Sequence, residues 1–239
     1  MDNIIFNNTK QIENKNTENI IDNLIKEISS LNTRVYSLEK ENKNLNIKIS
    51  ILEKFLAPKL EDHKILNQYI SSDIIESIKE LDIINKRLLR QNKRTTYNLI
   101  YKATRDGDKS QIFHQICDSY NSTLILIKTL KGRKFGGYTY EKWEGDDVNK
   151  KDNRAFIFSI DINKVYDVIK NEEAIGCYKL NGPDFCGWQI VIHDNFLNNK
   201  QCYTGEKEMN FNTEEDYELN GGEKYFGILE LEVFQVKWE

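Results

Sequence analysis

His114 and Cys117 stand three residues apart in the stretch Ser110-Gln111-Ile112-Phe113-His114-Gln115-Ile116-Cys117, and on a helix that spacing puts imidazole and thiol on one face. A thiol beside an imidazole is the pairing of a cysteine nucleophile with its base. His193, Cys177, Cys186 and Cys202 are the other soft donors of interest. Their spacing matches no zinc pattern, none of the cysteines forms a Cys-x-x-Cys pair, and a buried free thiol is a common apolar filler, so no metal is expected. There is neither a phosphate loop nor a dinucleotide fingerprint, and no cofactor is expected. Gly136-Gly137 would admit the backbone of a ligand, or let paired strands bend beneath a large side chain. Arg105 and Asp106 precede Gly107 at a turn that calls for positive φ. Glu230 and Glu232 alternate along a strand-like run, where they form either an acidic contact or a solvated sheet face. Trp143, Tyr138, Tyr140 and Trp188 offer an aromatic shelf, with core packing as the plainer use. The candidate partner contacts are therefore Arg105, Gly107, Gly136, Gly137, Glu230 and Glu232, with no catalytic residue assigned.

Strands must carry most of these groups. From Thr95 onward, short runs rich in Ile, Val, Phe and Tyr alternate with turn residues. The runs are Tyr97–Ala103, Thr123–Thr129, Lys134–Tyr140, Ala155–Ile160, Ala174–Lys179, Trp188–Ile192, Asp216–Leu219 and Phe226–Val236. Lys131-Gly132-Arg133 closes a hairpin between the second and third. Two helices interrupt, at about 108–119 and 162–170. In Leu229-Glu230-Leu231-Glu232-Val233 the apolar residues are expected inward and the two Glu outward. The pattern predicts two packed antiparallel sheets.

The N-terminal part has another period. Ile21, Ile28, Val35, Asn42 and Ile49 alternate with Leu24, Leu31, Leu38, Leu45 and Leu52 in steps of three and four. That is the 3.5-residue repeat of a left-handed coiled coil, and five heptads span about 50 Å at about 1.5 Å per residue. β-Branched residues at the first core position with Leu at the second favour a parallel pair. Asn42 selects the register: facing its own copy it hydrogen-bonds, while facing Ile it is buried unpaired at a cost of roughly 1–3 kcal/mol. In that register Arg34 meets Glu39 of the other chain, and Lys48 meets Glu53. A long solvated helix that never pairs is the alternative. Pro58 is expected to stop the coil near Leu56. A second helical stretch follows at about 60–90, capped at Ser71 or Ser72, before the basic cluster Lys86, Arg87, Arg90, Lys93 and Arg94. That cluster is either an anion contact or a solvated hinge. The organisation is thus a disordered tail at 1–19, a coiled coil at 20–57, a helical connector at 60–94 and a sheet domain at 72–239. The fold class is α+β: an N-terminal parallel coiled-coil helix, then a two-sheet antiparallel β-sandwich flanked by helices.

Residues 1–94 carry 16 Lys and Arg against 14 Asp and Glu, and the remainder 18 against 24. The second part is mildly acidic, which argues against general nucleic-acid affinity there. Residues 1–20 lack the apolar core of a signal peptide, and no apolar run reaches the ~20 residues that span a bilayer. No membrane insertion is expected. The reading is a cytoplasmic protein with reduced thiols, with a nuclear location left open.

Several segments, in order, resemble the TLDc family, the domain of oxidation-resistance proteins. Asn98 to Gly107 is similar to its opening strand and turn, and Phe113 to Asp118 to the helix that follows. Thr123 to Lys128 and Phe135-Gly136-Gly137-Tyr138 are similar to its hairpin, with Trp143 at the family's spacing. Ala155 to Ile160 resembles its central strand and Glu230 to Phe234 its closing strand. The resemblance covers roughly 72–238 and leaves the coiled coil outside. This chain departs from the family's Gly-rich turn at Gly182 to Trp188, above all at Trp188 and Gln189, which alters what that turn contacts. The resemblance implies a β-sandwich flanked by helices, with His114 and Cys117 on a helix packed under the sheet. It also implies a link to oxidative stress, no shared catalytic mechanism, and in several members binding to the vacuolar proton-pumping ATPase. The first expectation is a non-enzymatic homodimer that binds a protein partner, such as a V-type ATPase subunit. A zipper-type transcriptional regulator is the second, although residues 1–20 hold only Lys10 and Lys15 against Asp2, Glu13 and Glu18. A cysteine-dependent redox enzyme is the third.

Overall fold

Gly132 lies at φ +82°, its N–H bonds the Thr129 carbonyl at 2.9 Å, and the strands on either side pair from Lys128–Lys134 to Thr123–Thr139. This hairpin is the middle of the first sheet in the computed structural model, which describes residues 2–91, 93–169 and 172–239. The helices are α1 (Asp2–Asn67), α2 (Ile78–Leu88), α3 (Ala103–Asp106) and α4 (Ser110–Cys117). The strands are β1 (Thr95–Lys102), β2 (Thr123–Thr129), β3 (Lys134–Thr139), β4 (Val148–Lys150), β5 (Phe156–Ser159) and β6 (Lys164–Asp167). They continue as β7 (Ile175–Cys177), β8 (Asn181–Phe185), β9 (Ile190–His193), β10 (Cys202–Thr204), β11 (Tyr225–Phe226) and β12 (Ile228–Trp238). The chain divides into two compact units, Met1–Leu60 and Glu61–Glu239.

The second unit is the expected pair of antiparallel sheets. One has the order β1-β12-β2-β3-β5-β6 and the other β11-β10-β9-β8-β7-β4. Tyr101, Phe113, Ile125, Phe135, Trp143, Phe185, Ile190, Phe211 and Val233 fill one core, with rings meeting edge to face. The opposite face of the first sheet is covered by Leu66, Ile70, Ile74, Ile75, Leu81, Ile84 and Leu88, which pack on Leu124, Leu126, Phe156, Phe158 and Phe234. The first sheet is thus buried on both faces. That corrects the expectation for its closing strand: Glu230 and Glu232 are buried, while Leu229 lies at the surface. A register shift between Ile228 and Glu230 breaks the two-residue alternation there.

Other corrections follow from turn chemistry. α1 is assigned from Asp2, so residues 2–19, expected to be disordered, carry helical backbone, and the helix runs through Pro58 to Asn67 rather than stopping near Leu56. A proline deletes one rung, and rungs on either side hold the remaining helix. The stretch expected as one helix at 60–90 is instead the end of α1, a turn, and α2. Ser77 caps α2 by accepting from the Glu80 N–H at 3.3 Å, while the Ser72 hydroxyl accepts from the Ile74 and Ile75 N–H groups at 3.0 and 3.1 Å. The expected helix at 162–170 contains β6, because Asn163 at φ +55° turns the chain back onto β5. Part of that stretch lies outside the described residues. Asp216–Leu219 is no strand: Tyr217 sits at φ +57° and leads a single 3-10 turn, Glu218–Asn220.

Candidate functional site

Along the first unit, side chains are described at 17–54 and 56. The seam residues Ile21, Leu24, Ile28, Leu31, Val35, Leu38, Leu45, Ile49 and Leu52 are between 49% and 62% exposed, and Asn42 is exposed among them. The expected core positions therefore lie on one open stripe of a single helix.

In the second unit, the six residues marked for partner contact fall in three places. Glu232 is buried where the 71–75 segment crosses the closing strand: it accepts from the Ser72 hydroxyl at 2.5 Å and the Asp73 N–H at 2.9 Å. Burial raises its carboxyl above the ordinary range, against those hydrogen bonds and the Lys102 ammonium 3.7 Å away. Glu230 accepts from the Thr104 N–H at 3.2 Å and from the Thr104 hydroxyl, so it ties β12 to α3. Arg105 is exposed and forks onto Asp106 with two bonds of 2.8 Å, which holds the Asp106 carboxyl below its ordinary range. Gly107 follows at φ +109°, and its carbonyl accepts from the Tyr101 hydroxyl at 2.5 Å. Gly136 and Gly137 are buried between strands. A Cβ on the first would stand 2.0 Å from the Ile125 carbonyl oxygen, and on the second 2.3 Å from the Phe185 ring. Close packing alone accounts for both glycines.

The candidate nucleophile has a structural setting. Cys117 is wholly buried, and the imidazole of His114 clamps α4 to the β7–β8 turn. Its Nε2 lies 3.0 and 3.1 Å from the Tyr178 and Asn181 carbonyls, and its Nδ1 lies 2.7 Å from Asp118. All four cysteines are free and buried. Burial pushes the Cys177 and Cys202 thiols up to about 11 and those of Cys117 and Cys186 higher still, which is the reverse of what a nucleophilic thiolate requires. Among the described residues no group of three or more His, Cys, Asp or Glu side chains could hold a metal ion, and no helix is long and apolar enough to cross a membrane.

The aromatic shelf separates into parts. Trp143 is a core residue whose indole N–H donates to Thr123 Oγ1 at 2.9 Å, and Tyr138 is buried against Phe156. Tyr140 lies beneath the Arg154 guanidinium at 3.3 Å. Trp188 alone stands out, 63% exposed at φ +60° after Gly187. It borders a groove of about 340 Å³ with Tyr203, Tyr217, Tyr225, Met209 and Lys224. Cross-strand pairing places Tyr225, Tyr203, Val191, Asp184, Gly176 and Asn149 in one row across the second sheet. Asp184 in that row is buried, and burial pushes its carboxyl up to about 7. The sequence marks Trp188, through its departure from the family turn. It does not mark Tyr203, Tyr225 or Asp184, because they come from separate short strands and meet only through the pairing.

A TLDc domain profile matches residues 60–237. The chain belongs to the TLDc domain family. The helix residues before 60 lie outside that match. Over 73 residues the chain is 27% identical to the zebrafish (Danio rerio) MTOR-associated protein MEAK7, which is 30% of this chain and 16% of that relative. The chain thus aligns with a small part of that protein's length.

Proposed function

We propose that this TLDc-family chain is a non-enzymatic interaction protein. Two copies pair in parallel through the N-terminal seam and present two TLDc domains to a protein partner. The observation that carries this reading is the open stripe of Ile and Leu on α1, outside the family match, with a single Asn at one core position. Such a stripe costs about 25 cal/mol for each Å² of apolar surface left in water, and a second copy offers the matching surface. Pairing also raises the effective concentration of the second domain once the first has bound.

The partner we propose is a subunit of a V-type proton-pumping ATPase, in the setting of an oxidative-stress response and in the cytoplasm. The family resemblance supports this, and a relative named for its association with MTOR supports protein association as a family trait. On the domain, Arg105 and Gly107 supply surface for that contact beside Glu230 and Glu232. The Trp188 groove adds the Trp, Tyr and Met side chains that are enriched at protein interfaces. The raised thiols speak against a cysteine-dependent enzyme.

The test is binding of the purified peripheral sector of a V-type ATPase to the immobilised full chain and to a chain lacking residues 1–57. The reading expects the full chain to hold the sector and the shortened chain to release it at least tenfold faster. No retention by either chain overturns the partner, and equal release rates overturn the role of pairing.

A further inference from the structure

The basic cluster at the end of α2 is exposed, but its arginines are not free of structure. Arg94 donates to the Gln68 carbonyl at 3.1 Å, and three other arginines converge on one depression. Its volume is about 340 Å³, and it is lined by Arg87, Leu89, Arg90, Arg154, Phe156 and Trp238, with Tyr138 and Asn153 beside them. Each guanidinium rests on a ring: Arg90 lies 3.6 Å from the centre of Trp238, Arg154 lies 3.3 Å from Tyr140, and Arg87 lies 5.7 Å from Phe156. A stacked guanidinium keeps its in-plane N–H groups for an anion and loses little freedom on binding one.

The carboxylates nearby engage Arg87 fully but leave Arg90 and Arg154 with capacity for an anion. Asp167 pairs with Arg87. Asp152 is buried and already accepts from the Thr139 hydroxyl and from the N–H groups of Tyr140 and Arg154, which leaves only a 3.5 Å approach to Arg154 Nε. Among the described residues Arg90 has no carboxylate within 4 Å. Arg90 and Arg154 line the same depression, on either side of Tyr138 in its lining.

We propose that this pocket binds a phosphorylated serine or threonine side chain on a protein segment. Two forked guanidiniums fit the oxygens of one phosphoryl group. Leu89 is 65% exposed at the rim, and the Trp238 and Phe156 rings give apolar neighbours of the phosphorylated residue a place to rest. A nucleic acid or an anionic membrane needs positive surface over a longer reach, and residues 95–239 carry 18 Lys and Arg against 24 Asp and Glu. The site lies within one chain and is separate from the helix seam, so it stands whether or not α1 pairs.

The test uses the full chain, a degenerate phosphoserine peptide pool, the same pool without phosphate, inorganic phosphate, a 20-base-pair DNA duplex and phosphatidylserine vesicles. Binding is expected for the phosphorylated pool only, with displacement by inorganic phosphate. Arg90→Gln should weaken it about tenfold, Arg90→Lys less, and Arg90→Gln with Arg154→Gln should abolish it, at unchanged melting temperature. In the unaltered protein, inorganic phosphate should shield Arg90 and Arg154 from phenylglyoxal, which reads the site without any substitution. Equal binding of both peptide pools, binding insensitive to the substitutions, or unshielded arginines would overturn the proposal. So would tighter binding of the duplex or the vesicles than of the phosphorylated pool.

Discussion

Asp184 is a buried carboxyl in the cross-strand row of the second sheet. Its carboxyl is raised to about 7 by burial between Val191 and Gly176. The folded state then holds the proton more tightly than the unfolded chain. Stability from this group is fully present below about pH 4, the unfolded value, and is lost as pH rises through about 7. The full shift is on the order of 4 kcal/mol. Asp184→Asn should therefore raise the urea midpoint at pH 8 and leave it nearly unchanged at pH 4; an equal change at both values would contradict the assignment. Gly136 supplies a second test at the same scale. Its Cβ would meet a backbone oxygen at 2.0 Å, and Ile125 cannot retreat without breaking the β2–β3 pairing. Gly136→Ala should cost about 3 kcal/mol by chemical denaturation, and a variant as stable as the parent would show that the strands separate easily.

Among the elements, those that bury side chains in long, uninterrupted runs were legible in the sequence. β2 lies where its Ile and Leu run predicts, and β1, β3, β5 and β12 fall within a few residues of their apolar stretches. In the second sheet β7 and β9 fall at the runs 174–179 and 188–192, whereas β4, β8 and β10 were not legible. β4 is only Val148–Lys150, and β8 contains Gly182 and Pro183, which read locally as a turn. Those two residues lie in a register shift between Asn181 and Asp184, whose pairing with β9 and β7 is a long-range effect no local window contains. The same limit hid the Trp188 groove, and burial on both faces hid the fate of Glu230 and Glu232. α1 is the opposite case, since its seven-residue repeat is wholly local. Asn42→Ile should raise the melting temperature of an α1 assembly while adding trimers or shifted pairs in sedimentation velocity. An unchanged distribution of species would mean that Asn42 does not set the register.

At the scale of the molecule, the chain joins a TLDc domain to a helix whose residues before 60 lie outside the family match. The domain satisfies its buried Glu230 and Glu232 through Thr104, Ser72 and the Asp73 backbone. The helix leaves its apolar stripe exposed, and we propose that a partner helix covers it. Everything proposed about avidity rests on that pairing. Sedimentation equilibrium of the full chain at micromolar concentration is the most direct measurement. The account predicts a mass of twice 28.2 kDa, reduced to 28.2 kDa by Leu31→Lys with Leu38→Lys. A mass of 28.2 kDa for the unaltered chain across that range would contradict it.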